Sequence, residues 1–277
     1  MILGNDHPFN LDELGNEKSV REITIEDLRK IHSYGYTAKN MQLILVGNLP
    51  EDSEELVKRY FDERPSGKDI KYVFPYKDSI EEKIILHTSA PDLLNKDNPL
   101  ESNSTITLCV LVSPSGREDT YGISMISSIL GGGMLSKIYQ ELSQKRGLAY
   151  RIGSQYNGSN NLGTLEIKGN VLSHKQDEAI EIIFEEFRKL KESPLPEEEL
   201  RKLKKNMHYR LNNIYDTNYG HIRLIRNKLD NGITPEIIYR EYNNLTPEKI
   251  QELAQKYLPS DRTDDKYALL IRDPLKK

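Results

Sequence analysis

The stretch Leu130–Tyr150, LGGGMLSKIYQELSQKRGLAY, sets three consecutive glycines ahead of a helix-like run and closes on Arg146, Gly147 and Tyr150. Met134, Ile138 and Leu142 recur at helical spacing, which predicts a helix over 134–145 with one apolar face. Gly147 suits its C-terminal cap, because glycine enters the left-handed conformation without steric cost. A glycine loop before a helix can cradle phosphate on backbone N–H groups. This one lacks both the G-K-[ST] ending of a P-loop and the G-x-G-x-x-G spacing of a dinucleotide fingerprint, and helix-like Ile123–Leu130 precedes it where a strand is required. Gly131, Gly132 and Gly133 therefore read as a sharp turn between two helices, with a phosphate-ligand domain kept as an alternative.

Working outward, Ile84–His87 and Thr105–Val112 are rich in residues that fit a pleated surface. Ala149–Tyr156 and Gly163–Val171 flank the turn formers Asn157–Asn161, a hairpin pattern. Beyond His174 the chain turns helical, with long amphipathic runs over Lys175–Lys191 and Pro196–Ile214. Glu197, Glu198 and Glu199 follow Pro196 at a helix start, where negative charge favours the dipole. His208, Tyr209 and Arg210 read as a solvated basic face, and His221 as the beginning of a helix. A sheet plus a helical layer predicts an α+β fold, a two-layer sandwich of mainly antiparallel sheet and helices.

The chain also resembles itself. Ile23–Ile31 pairs with Leu245–Leu253: each has a threonine able to cap a helix, an acid in the first turn and apolar residues at helical spacing. Each is followed by a strand-like run, Met41–Val46 after the first and Tyr267–Ile271 after the second. Thr24 and Thr246 stand 222 residues apart, a period that suits a duplicated domain of roughly 200 residues. Residues 1–75 then read as the closing third of a first copy plus linker, and 80–277 as a nearly complete second copy. The polar, turn-rich stretch Glu63–Asp78 suits the linker. A threonine-capped helix before a strand is also common enough to arise without duplication. Gly4, Asn5, Asp6 and Pro8 read as a loop, so elements are expected upstream of Met1.

Composition removes several function classes. A net charge of -4 with interspersed signs lacks the basic face that neutralises nucleic-acid phosphates, so nucleic acid is not an expected partner. No apolar run approaches the ~20 residues that span a bilayer. The N-terminus carries no secretory pattern, and the lone Cys109, which cannot form an internal disulfide, reads as a small buried hydrophobe; a cytoplasmic location is expected.

The glycine stretch, together with Leu3–Pro8, Leu14–Gly15 and Thr24–Gly47, resembles the pitrilysin/insulinase zinc metallopeptidases, especially the branch that includes mitochondrial processing peptidase. The resemblance covers nearly the whole chain and implies duplicated metallohydrolase-like α+β domains, here with the first copy truncated, around a peptide chamber. Such enzymes carry H-x-x-E-H on a first-domain helix, where zinc activates water and the glutamate is general base. The six histidines, His7, His32, His87, His174, His208 and His221, contain no such pair, so no metal site is expected here. Zinc is expected instead in the missing first-domain segment or in a partner half, either a zinc-bearing peptidase half or a homologous subunit. This chain alone is expected to be inactive.

The resemblance further implies that an arginine and a tyrosine of the second domain hold the substrate carbonyl. Tyr150 matches the tyrosine, while Ser143 stands in the arginine's place. Arg146, a helical turn later, either substitutes for it or caps the helix. Gly131, Gly132, Gly133 and Ser143 are expected to border the peptide. Two further readings follow: the non-catalytic half of a peptidase, assisting hydrolysis by a zinc-bearing half, and a non-enzymatic scaffold or assembly subunit of the same fold.

Overall fold

Alternating burial along two neighbouring strands establishes the sheet. β2 (Asn103–Val112) sends Ile106, Leu108 and Val110 to one side, and β4 (Gly163–Leu172) sends Leu165, Ile167 and Val171 to the same side. β3 (Ala149–Gly158) lies antiparallel against the other edge of β4. β5 (Ala268–Asp273) pairs antiparallel with β2 and parallel with β1 (Ile84–Ser89). The order β1-β5-β2-β4-β3 leaves β1 and β3 as edges. The computed structural model describes residues 13–70, 83–159 and 161–276.

Helices cover the apolar side. α4 (Thr120–Gly131) lies against β3, α6 (Gln176–Glu192) against β4, and α10 (Pro247–Tyr257) against α4 and α6. In α6, Ile180, Ile183, Phe184 and Phe187 follow helical spacing and are fully buried, each contributing roughly 1.5–3 kcal/mol by leaving water. Phe184 also meets Phe187 and Tyr267 edge-on, with centroids 5.9 and 5.2 Å apart. This is the predicted α+β sandwich. On the far side of the sheet Leu111 and Ala268 form a small cluster, with Ile84 and Leu162 against them. Cys109 is buried, and burial above all, then Glu166, pushes its thiol up to about 12, so it stays protonated.

Two units make up the chain. One holds residues 83–208 and 236–276, apart from the undescribed residue 160; the other holds 13–70 and 209–235. Residues 209–235, with α8 (Asn218–Asn231), group with the N-terminal residues. α7 (Glu197–Asn213) crosses from one grouping to the other, and α9 (Pro235–Asn244) leads back.

In the N-terminal unit α1 (Glu17–Glu22) is capped by Asn16, α2 (Ile25–Gly35) by Thr24, and α3 (Ser53–Phe61) follows Asp52. None of the three buries a residue. The contrast with α10 is direct, since α2 and α10 have the same length and a threonine cap accepting from the third helical N–H. α10 buries Pro247, Ile250 and Leu253, whereas the matching Ile25, Leu28 and Ile31 are 56%, 53% and 62% exposed. Met41–Val46, expected as a strand, forms none, and Leu43 and Leu45 stand exposed. The reason is the missing ladder: a strand needs neighbours for its N–H and C=O groups, and no described strand pairs with this one.

Part of the expected linker is tied down. Ala38 and Lys39 N–H donate to the carbonyls of Pro65 and Ser66, while Asn40 donates to Lys68 O and accepts from Ile70 N–H. Its continuation over residues 71–78 lies outside the described residues, as do residues 1–12 with Gly4, His7 and Pro8.

A polar clamp joins α4 to α10. Burial pushes the Asp119 carboxyl up, but hydrogen bonds from Lys256 Nζ at 2.7 Å and the Tyr257 hydroxyl at 2.8 Å outweigh it and hold the carboxyl below its ordinary range. The same contact raises Lys256. A lowered acid contributes stability above its unfolded value, near 3.9, and loses it as pH falls through the folded value; a raised lysine contributes below about 10.4 and loses it as pH rises further. Asp119→Asn is therefore expected to cost about 1–3 kcal/mol in urea unfolding at pH 7 and progressively less as pH falls below 4. An equal cost at pH 2.5 and pH 7 would contradict this.

Candidate functional site

Each glycine of the opening stretch has a separate geometric reason. A Cβ on Gly131 would lie 2.0 Å from Ser154 N and 2.5 Å from the Gly153 carbonyl carbon, so the α4 terminus touches the β3 backbone because no side chain intervenes. Gly132 donates its N–H to Ser128 O inside the helix. Gly133, at φ 147, adopts a backbone that L side chains rarely enter. Ser136 closes the turn by donating its N–H and hydroxyl to Gly133 O. A phosphate cradle is not formed, since the Gly132 N–H is spent within α4 and α5 (Lys137–Tyr139) is a single turn.

The helix predicted over 134–145 begins later and widens. After α5 the backbone continues as a π-helix over Gln140–Lys145, and Gly147, at φ 62, ends it as expected. Leu148 N–H reaches back to Leu142 O at 2.7 Å. Ser143 Oγ is buried and has no hydrogen-bond partner among the described residues. Arg146 caps the π-helix, its guanidinium 3.9 Å from Glu141 Oε2, while Lys145 Nζ lies 2.5 Å from Glu141 Oε1. The Lys145 hydrogen bond, foremost, holds the Glu141 carboxyl below its ordinary range.

Tyr150 sits at an irregularity that aims it outward. Ala149 pairs with Val171 and Arg151 with Asn170, so Tyr150 is the extra residue of a bulge on an edge strand, 79% exposed. Beside it lies a groove of about 550 Å³ bordered by Gly133, Met134, Tyr139, Tyr150, Arg151 and Lys168. The Arg151 guanidinium carbon stands 5.9 Å from the Tyr150 ring centroid. Of the residues singled out in the sequence, Tyr150 and Gly133 share this groove. Gly131 and Gly132 form the turn leading to it, and Ser143 and Arg146 are not among its lining residues. Arg151 and Lys168 escaped sequence reading, although counting back along the hairpin from Gly158↔Gly163 places them on one face.

Four of the described histidines make separate contacts. His87 Nε2 lies 2.9 Å from the Asp273 carboxylate, joining β1 to β5. His32 stacks on Tyr36, and His221, the fourth residue of α8, lies 3.0 Å from Tyr215 O. His208 differs from the solvated reading: its ring lies 4.7 Å from Tyr239, and its buried Nε2 has no hydrogen-bond partner among the described residues. Among the described residues no three His, Cys, Asp or Glu side chains are arranged to hold a metal, so this donor set does not fit a zinc ion. No described helix is long and apolar enough to cross a membrane.

Residues 22–207 match the family described as the peptidase M16 inactive domain. The chain belongs to that family. Over 273 residues this M16 chain is 25% identical to the Bacillus subtilis protein named uncharacterized zinc protease YmxG, covering 97% of itself and 62% of that relative. A Rickettsia bellii protein, also named an uncharacterized zinc protease, is 30% identical over 152 residues, which is 54% of this chain and 34% of the relative. Among solved structures, a Pseudomonas fluorescens peptidase M16 inactive domain superposes with a TM-score of 0.82 at 20% identity, over 98% of this chain and 63% of that one. A Helicobacter pylori protease gives 0.72 at 18%, over 94% and 61%. The M16 chain thus spans less than two thirds of the relatives it matches, and the solved structures agree with its fold.

Proposed function

We propose that this M16 inactive-domain chain is the non-catalytic half of a zinc peptidase, closing a chamber around an extended peptide that a zinc-bearing half cleaves. The observation that carries the reading is the uncovered apolar stripe of α2, whose counterpart in α10 is buried. Ile25, Leu28, Ile31 and the unpaired run Met41–Val46 call for a sheet and helices of the kind that cover α10 and β5, as the closing third of a duplicated domain requires. The zinc-bearing half supplies that cover, either within a longer polypeptide or as a separate subunit. Zinc belongs to that half and not to this donor set. Tyr150 projects from an edge strand, where a peptide backbone can add alongside and a phenol can donate to a carbonyl oxygen.

The test is cleavage of an internally quenched peptide by a zinc-bearing half with and without this chain. Addition is expected to restore hydrolysis, and Tyr150→Phe to lower kcat about a hundredfold in the restored pair. A restored pair indifferent to Tyr150→Phe would remove the phenol from the chemistry. The scaffold reading is favoured by one observation: Arg146, the residue that could replace the arginine the resemblance expects at Ser143, lies 3.9 Å from Glu141 and outside the groove of Tyr150. It predicts a stable complex with no peptidase activity.

A further inference from the structure

The groove beside Tyr150 carries cations that pair with no described carboxylate. Arg151 and Lys168 have no ion-pair partner among the described residues, in a chain whose other basic side chains are widely paired. The hairpin register makes them a pair: Arg151 stands opposite Asn170, and Lys168 stands opposite Gly153, which has no side chain to block its path to the edge. Asn170 adds a third donor, because its Oδ1 accepts from Thr105 Oγ1 and its amide N–H groups remain available. Met134, 68% exposed, and Tyr150 line the same groove.

We infer that this groove selects acidic peptide segments, Arg151 and Lys168 holding a carboxylate side chain while Met134 and Tyr150 pack against an adjacent apolar residue. The inference rests on the peptide-holding reading above and gives it a substrate class. A planar guanidinium and a mobile ammonium on one side of a shallow groove suit a carboxylate, with Asn170 completing its hydrogen bonds. Glu166, two residues beyond Lys168 on the same face, limits the cationic patch to the Tyr150 end. Exposed charges of this kind favour encounter and selection among peptides more than raw affinity.

Fluorescence anisotropy of the whole chain with labelled, C-terminally amidated twelve-residue peptides tests the inference. An Asp/Glu-rich peptide is expected to bind about tenfold more tightly than an uncharged or Lys-rich one, and Arg151→Gln with Lys168→Gln to erase that preference. Equal binding of all three peptides, or a preference for the basic one, would overturn the inference and leave peptide holding intact. A free C-terminus restoring tight binding to the uncharged peptide would assign the groove to chain ends and overturn the side-chain assignment. NMR of the Arg151 Nε–H during titration with N-acetyl-aspartate methylamide separates the two levels. Shifts here without binding of any peptide sink the peptide-holding reading and keep the carboxylate site; no shifts and no acidic preference sink the site.

Discussion

Gly131→Ala is expected to destabilise the sheet unit by about 3 kcal/mol, a loss of roughly 6–12 °C in Tm, the largest effect of any single added methyl in the opening stretch. The new Cβ would fall 2.0 Å from Ser154 N and 2.5 Å from the Gly153 carbonyl carbon, both backbone atoms of β3 that no rotamer change can move aside. α4 must then lift from the strand and draw Ile126, Ile129 and Leu130 away from their burial. Gly133→Ala serves as comparison: nothing lies within 4 Å of its added Cβ, so only the strain of φ 147 opposes it, at about 1–2 kcal/mol. Equal tolerance of both substitutions in thermal melts would contradict the packing role assigned to Gly131.

The second large effect sets matching helices against each other. Leu253→Ala in α10 is expected to cost about 2–5 kcal/mol, because it empties a fully packed site. Ile31→Ala, at the matching position of α2, is expected to fall within about 0.5 kcal/mol in the isolated chain, since Ile31 is 62% exposed. With a zinc-bearing half present the ranking should change. Leu28→Asp with Ile31→Asp would weaken association by at least about a hundredfold while leaving the melting of the chain alone unchanged. If the double substitution unfolds the isolated chain, or leaves association intact, the α2 stripe is not the docking surface.

The parts of the fold legible in the sequence are those whose causes are local. The β-branched run of β2 and the threonine caps before α2 and α10 each carry their instruction within a few residues, and those elements formed where that instruction lies; the β3–β4 hairpin also formed, but Asn157 and Gly158 pair within its ladder and the connection falls beyond them. Met41–Val46 reads as a strand for the same local reasons and fails to be one, because strand formation is completed by neighbours that the described residues do not supply. The π-helix over Gln140–Lys145 has no periodic signature, since Met134, Ile138 and Leu142 fit an ordinary α-helix equally well. That widening undercuts a helical-turn argument for Arg146, whose nearest acidic partner is Glu141. At the site, exposed Tyr150 came from the motif, but Arg151 and Lys168 stand far apart in the sequence. They meet only through hairpin register, a relation that residue spacing on one helix or strand does not reveal.

The proposed role of this chain is to complete a peptidase whose zinc it does not hold. Titrating it into a zinc-bearing M16 half while following cleavage of a quenched acidic peptide tests that claim most directly. Saturable activity at a 1:1 ratio is expected, absent from either half alone, abolished by Leu28→Asp with Ile31→Asp and sharply reduced by Tyr150→Phe. Peptide cleavage by this chain alone, or a stable complex that never gains activity, would contradict it.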